Sequence, residues 1–334
     1  MELCAVCNTL GISQASFLSH PDTDDNQRLK DPIREIGYLS DVGKRKDGCV
    51  LCRLIYEVFR FGLPKRVTSI ADAGTIAIFA KWINALGSER SKRLRSPTIY
   101  IMVWAVSSDL PPSGYKILVR AASAALPSQP HFGCITPTPT SFLDYTQLVR
   151  WLQNCDTQHT LCKSPSSGIP TRYFYLVDTR SHCIVEPVAP CRYLALSYVW
   201  GGVDQLKLKE DNFERLKTAG GINVGDLSKT VRDAVLLTNM LGERFLWVDS
   251  LCVMQDSEMK RPRTLADMDR IYAQSLLTIV AASGSNANEG LPGVSVARKR
   301  KQWYQKLSPN LILSAHVDFK DVMEDSVYNT RAWT

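Results

Sequence analysis

Apolar residues recur along this chain at two periods, and the change from one to the other outlines its architecture. Over 48–61 (GCVLCRLIYEVFRF), Leu51, Leu54, Ile55 and Val58 fall on one face of a helix, and that face requires a partner. β-Branched and aromatic residues at 98–106 and 115–120, bounded by Pro97, Pro111, Pro112 and Gly114, predict two strands of a hairpin with a long connection. Leu148, Trp151, Leu152 and Cys155 recur at three and four residues and predict a helix over 144–159. Segments 173–178 and 183–187 lead into the uninterrupted apolar strand YLALSYVW at 193–200. From there the pattern alternates: strand 193–199, helix 228–241, strand 244–249, helix 263–274, strand 276–282. That βαβαβ order predicts a parallel sheet, because parallel neighbours need crossovers and the crossover helices cover the faces. Gly242 stands where a left-handed residue would cap the first of these helices.

Proline marks the boundaries. Pro137 and Pro139, inside the Pro-, Ser- and Thr-rich stretch 126–140, deny helix and central strand alike, and 165–170 is a second break. The expected organisation is a Cys-rich α+β region at 1–125, a linker and helix at 126–170, and an α/β domain at 171–334. A length of 334 residues agrees with about two domains at roughly 150 residues each. With 45% apolar and 22% charged residues the chain is globular, which excludes disordered, collagen-like and coiled-coil classes. Its longest apolar runs, 98–106 and 276–282, fall short of the roughly 18–20 residues needed to span a bilayer. The N-terminus MELCAVCNTL lacks a basic start and a long apolar stretch, so a cytoplasmic address without a membrane span is expected. The net charge of +7 includes two basic runs, 90–95 (RSKRLR) and 298–301 (RKRK). Neither is interleaved with aromatics, so both read as solvated loops and nucleic acid is not an expected partner.

Ten cysteines in a chain that is neither small nor visibly secreted point to reduced thiols or metal ligands rather than a disulfide framework. The best metal candidate is Cys4-x2-Cys7 with Cys49-x2-Cys52, since two such pairs supply four thiolates to a tetrahedral zinc. The 41 residues between the pairs exceed a compact ribbon, and buried structural thiols are the alternative. Cys155, His159 and Cys162 share a helical face but offer only three ligands, and core packing is the favoured reading. A closed thiolate site would be structural, with no open position for chemistry.

In an open parallel sheet, ligands bind beyond the carboxyl ends of the strands, where loops and helix N-termini converge. Three segments arrive there: 197–202 (SYVWGG), 247–256 (WVDSLCVMQD) and 282–286 (ASGSN). Asp249 follows an apolar strand directly and is a candidate catalytic carboxylate, or a cap for the next turn. Gln255 and Asp256 could hold a ribose or another polar ligand, or begin a helix. Tyr198 and Trp200 could form an aromatic wall beside Gly201 and Ser250, or serve packing. Cys252 also lies on this rim, but as a nucleophile it would need a base, and no feature directs a histidine to it. No GxSxG, P-loop or GxGxxG is present, which removes support for a serine hydrolase, a P-loop NTPase and a Rossmann dehydrogenase.

The motifs LALSYVWG (194–201), LSKTVRDA (227–234), FLWVDSLCVMQD (245–256), MDRIYAQSLLTIVAASG (268–284) and GLPG (290–293) resemble the fungal heterokaryon incompatibility (HET) domain. The resemblance covers roughly 190–334, with CAVC, GCVLC and WLQNCDTQHTLC similar to the region that often precedes the domain. It implies allorecognition and programmed cell death in a fungal cell, with protein partners, homo-oligomerisation, and a TIR-like, flavodoxin-like parallel sheet with helices on both faces. It also implies a second function, NAD cleavage of the TIR type, in which Asp249 or Asp256 would assist departure of nicotinamide. A protein-interaction module without catalysis is the third. Lys260, Arg261 and Thr264 stand where the family usually carries acidic, tryptophan and glutamate residues, and a basic patch does not stabilise an oxocarbenium-like centre. The chain ends at Tyr328–Thr334 where the family continues, so the resemblance implies a C-terminally truncated domain.

Overall fold

The computed structural model describes residues 2–13, 15–17, 32–62, 74–84, 99–107, 115–122, 141–158, 171–298, 303–309, 311–317, 323 and 326–330. The chain forms two compact units, Met1–Pro139 with Arg300–Asp325, and Thr140–Lys299 with Ser326–Thr334. In chain order the first unit begins with α1 (Ala5–Asn8), β1 (Arg34–Tyr38), α2 (Leu39–Arg45), α3 (Val50–Glu57), β2 (Ala77–Asn84), β3 (Ile99–Val106) and β4 (Tyr115–Ala122). The second holds α4 (Tyr145–Gln158), β5 (Leu176–Asp178), β6 (Cys183–Val185), β7 (Leu194–Ser197), α5 (Lys229–Met240), β8 (Phe245–Val248), α6 (Lys260–Ala266), α7 (Met268–Gln274) and β9 (Leu277–Val280). Strands β10 (Trp303–Ser308) and β11 (Leu311–Val317) return to the first unit.

The first unit is built on a six-stranded sheet in the order β1-β2-β3-β4-β11-β10. Every pairing in it is antiparallel, and the expected hairpin is β3 with β4. Alternate residues of four of the strands, β2, β3, β4 and β11, enter the core: Ile78, Ala80 and Trp82; Ile101, Val103 and Ala105; Ile117 and Val119; Leu311, Leu313 and Ala315. The apolar face of α3 finds its partner here, since Leu51, Leu54, Ile55 and Val58 are buried in the same cluster and α3 packs on β10 and β11. The Trp82 indole N–H donates to the Leu10 carbonyl at 2.8 Å, which ties the segment after α1 to the sheet.

The second unit carries a five-stranded sheet in the order β6-β5-β8-β7-β9. Its β7 pairs in parallel with β8 on one side and β9 on the other, as the βαβαβ pattern predicts. All four residues of β7 are buried, the mark of a strand covered on both faces. The sheet is mixed, however, rather than parallel throughout: β5 is antiparallel to both β6 and β8. Only residues 179–182 join β5 to β6, far fewer than a crossover requires, so they can form only a hairpin. The α5 helix ends at Gly242 with φ +82, the left-handed cap expected there. On α4 the half-buried stripe that packs on the core runs through Tyr145, Leu148, Val149 and Leu152, and Trp151, expected on that stripe, is 55% exposed. Among the described residues, no helix is long and apolar enough to cross a membrane. The Pro-rich stretch 126–140, the basic run 90–95, most of the run 298–301, His159 and Cys162 lie outside the described residues.

One ionic contact makes stability depend on pH. Asp178, at the end of β5, is buried and accepts Arg244 at 2.6 Å together with the N–H groups of Arg180 and Ser181. Burial alone would raise its pKa, but the Arg244 guanidinium and the two amides outweigh it and hold the carboxyl at about 2, below the usual 3.8. Because folding depresses this pKa, the stabilisation is complete above the unfolded value of about 4 and is lost as pH falls from there toward 2. Arg244 is half exposed and solvent screens it, so the expected loss is only about 1 kcal/mol. Acid unfolding of Asp178→Asn should lack this component and otherwise follow the parent; an unchanged acid limb would refute it.

Candidate functional site

Two places concentrate the candidate chemistry, one in each unit. In the first, both CxxC pairs sit at helix starts: Cys4 is the N-cap of α1 with Cys7 in its first turn, and Cys49 is the N-cap of α3 with Cys52 in its first turn. The thiol of Cys49 accepts the Cys52 N–H at 3.5 Å. The long separation between the pairs is closed by a parallel bridge from Glu2 to Cys49, with the Val50 N–H donating to the Glu2 carbonyl at 3.2 Å. The N-terminal residues are thereby laid beside the start of α3, a juxtaposition that sequence spacing could not reveal.

The four sulfurs lie within 4.8 Å of one another, with Cys4 to Cys52 at 3.8 Å and Cys7 to Cys52 at 3.5 Å. Bonded sulfurs would lie about 2.05 Å apart, so these are free thiols. A tetrahedral zinc with Zn–S of about 2.3 Å would place its sulfurs about 3.8 Å apart, close to what is found. Cys7, Cys49 and Cys52 are fully buried. Hydrogen bonding to Cys49 and Cys52 raises the Cys7 thiol far above its usual range. The Cys49 contact raises Cys52 to about 12, partly offset by Cys7, whereas the same hydrogen bonds lower Cys49. Four thiolates cannot coexist in this apolar pocket without a compensating cation. The cluster could hold a metal ion.

In the second unit the candidates gather at the carboxyl ends of β7, β8 and β9. Asp249 opens a single helical turn, Asp249–Cys252, directly after β8. Its carboxylate accepts the Trp200 indole N–H with both oxygens at 3.0 Å and the Ser250 N–H at 2.7 Å. The Lys207 ammonium stands 5.4 Å from the centre of the Trp200 ring. Tyr198 is buried and donates to Gln205 at 2.9 Å, with Ser250 Oγ 3.0 Å from the same hydroxyl. Gln255 donates to the backbone carbonyls of Asp249 and Val253, both at 2.9 Å. Asp256 is exposed and accepts the Glu210 N–H at 3.1 Å. Cys252 is fully buried, and desolvation pushes its thiol up to about 12, so it rests as a neutral core group beneath the rim.

Gly201 joins the first loop to the third. Its φ is +66, and a Cβ there would fall 2.2 Å from Asn286 Cβ and 2.6 Å from the Ser285 carbonyl oxygen. Only glycine permits that approach, which the Ala287 N–H to Trp200 carbonyl bond of 3.2 Å secures. The structure thus brings Tyr198, Trp200, Gly201, Asp249, Ser250 and Gln255 together through these bonds. Asp256 instead anchors the turn at Glu210, and Lys260, Arg261 and Thr264 stand on α6.

Three residues of this region escaped sequence reasoning. Gln205 and Ser228 complete the Tyr198 network, with the Ser228 hydroxyl donating to Gln205 Oε1 at 3.3 Å. Tyr328 places its hydroxyl 2.8 Å from Ser197 Oγ at the end of β7. No spacing signals any of them, because each arrives from a separate loop; only the LSKT motif drew attention near Ser228.

The comparisons with known proteins bear on this second site. Residues 193–334 match the family model described as Heterokaryon incompatibility protein (HET). The match runs from the start of β7 through the strand-end loops and includes β10 and β11. No curated protein and no solved structure matches the chain. The order of the motifs, the convergence of their loops and the family match have one conclusion: the chain carries a HET domain at residues 193–334.

Proposed function

We propose that this protein is an effector of heterokaryon incompatibility, acting in the cytoplasm of a fungal cell to trigger death when non-self is recognised. The family match over 193–334 carries the reading. Its mode is TIR-like signalling through the second unit, by contact with protein partners or further copies of the chain. Supporting this is the parallel core β8-β7-β9, in which the first strand is flanked by the second and third, as at the start of a doubly wound flavodoxin-like sheet. Between catalysis and docking, the carboxylates favour docking. Cleavage of NAD needs an acid free to face the leaving nicotinamide, whereas Asp249 is engaged by Trp200 and Ser250, and Asp256 by Glu210.

The four-thiol cluster belongs to the same proposal as a closed structural zinc site formed by Cys4, Cys7, Cys49 and Cys52. Its support is the near-tetrahedral sulfur spacing, and four protein ligands leave no position for substrate.

Induced expression in a fungal cell, with NAD and viability followed together, tests the functional reading. The expected result is death with an unchanged NAD pool, both for the parent and for the Asp249→Asn, Asp256→Asn double variant. NAD loss that precedes death and disappears in the double variant would replace docking by NAD cleavage. Survival of cells expressing the parent would refute the effector role.

A further inference from the structure

A zinc held by four thiolates carries a net charge of −2, and this cluster lies in an apolar core beside Leu10, Val50 and Leu51. Burying an uncompensated dianion is costly, so the surroundings of the sulfurs should contain a donor cation. One is present. Arg45, the last residue of α2, accepts the Cys49 N–H at its backbone carbonyl at 2.9 Å, and its guanidinium lies within electrostatic reach of Cys52, Cys4 and Cys7.

The position of Arg45 is built rather than incidental. Its terminal nitrogen donates to the Ile36 carbonyl at 2.5 Å. Ile36 is free to accept because the register of β1 against β2 shifts between Glu35 and Gly37, leaving a bulge at that residue. Gly37, at φ +104, lies against the same guanidinium, its Cβ position 3.7 Å from Nη2 and 3.9 Å from Nη1. A second nitrogen, Arg45 Nε, is buried and has no hydrogen-bond partner among the described residues. A buried donor of a permanently charged group is rarely left unsatisfied, and the acceptors that would use it are thiolates, which neutral thiols replace poorly.

We propose that Arg45 is the outer-shell cation of a Cys4–Cys7–Cys49–Cys52 zinc site. It donates N–H groups to the metal-bound sulfurs, offsets part of their charge, and fixes α2 and the β1 bulge against the two helix starts. The inference rests on the zinc reading above and adds a residue that cysteine spacing cannot supply. Its role is positioning and charge compensation, since Arg45 does not itself bind the metal.

The test uses the purified full chain and its Arg45→Met and Arg45→Lys variants. Zinc content is measured by elemental analysis, affinity by competition with a chromogenic chelator, and the ligand field by substituting cobalt(II). The parent should hold one zinc and give the intense sulfur-to-cobalt bands of a tetrathiolate site. Arg45→Met should lower zinc affinity by about 10- to 100-fold, the usual cost of losing an outer-shell partner, while keeping the tetrathiolate spectrum. Arg45→Lys keeps the charge without the forked donors; it should fold, shift the sulfur-to-cobalt band and fall between the other two. Parent-like affinity and bands in the variants that fold would overturn the role of Arg45 while leaving zinc in place. A parent chain that takes up neither zinc nor cobalt would overturn the zinc reading itself.

Discussion

Replacing both Cys49 and Cys52 by Ser is expected to abolish zinc binding and unfold the helical face of the first unit, the largest effect of any change considered. The two residues open α3, whose Leu51, Leu54 and Ile55 are fully buried against the sheet. Their sulfurs also meet those of Cys4 and Cys7, which hold the N-terminal segment in place. Structural zinc contributes on the order of 10–16 kcal/mol of apparent binding free energy in small zinc domains, comparable with the whole 5–15 kcal/mol stability of a typical domain. Chelation of the parent should reproduce the variant. Thermal unfolding and limited proteolysis of the full chain, with and without chelator, read the effect in residues 1–62. A chelator-resistant transition and an unchanged cleavage pattern would show that the thiols are core residues without a metal.

The second large effect is expected at Trp247, in the middle of β8. The residue is fully buried and meets Tyr272 edge-on, with ring centres 5.4 Å apart. Removing such a ring from a close-packed core costs about 3–5 kcal/mol, so Trp247→Ala should lower the unfolding midpoint of the second unit severely. Phenylalanine should behave differently. The indole N–H of Trp247 is buried and finds no acceptor among the described residues. Trp247→Phe loses some packing but also discards a desolvated donor, itself worth about 1–3 kcal/mol, so the net change should stay below about 2 kcal/mol. Equilibrium denaturation of the two variants checks the contrast. Equal losses would mean that the N–H is satisfied in solution, for instance by a buried water.

Much of the second unit was legible in the sequence because each signal there is local. A short unbroken apolar run, rich in aromatic residues and closed by Gly201-Gly202, fits a strand covered on both faces, which is how β7 could be placed before its neighbours were known. Helical spacing and Gly242 located α5 and its end. The candidate rim was legible for the same reason, since loops after parallel strands must emerge at one edge. What each rim residue does was less legible. Asp249 as an acid and Asp249 as an indole acceptor have the same sequence, and the difference lies in where Trp200 returns.

Other features depended on contacts between distant segments. Strands β10 and β11 were not read from the sequence, and they extend the first unit's sheet by pairing β11 with β4. The HET match therefore runs through a strand, β11, whose partner β4 lies well before residue 193. Likewise, a short hairpin at β5 and β6 turned the expected parallel sheet into a mixed one.

By itself, then, the amino-acid sequence determined the βαβαβ core, the strand-end rim and the two CxxC pairs, because periodicity, caps and short motifs act within a few residues. Tertiary structure alone decided that Glu2 lies beside Cys49, that the two CxxC pairs meet, and that Gly201 lets two loops meet. Those are meetings of segments separated by tens of residues. Their partners are chosen by the shape and polarity of the whole folded core, which no local pattern encodes.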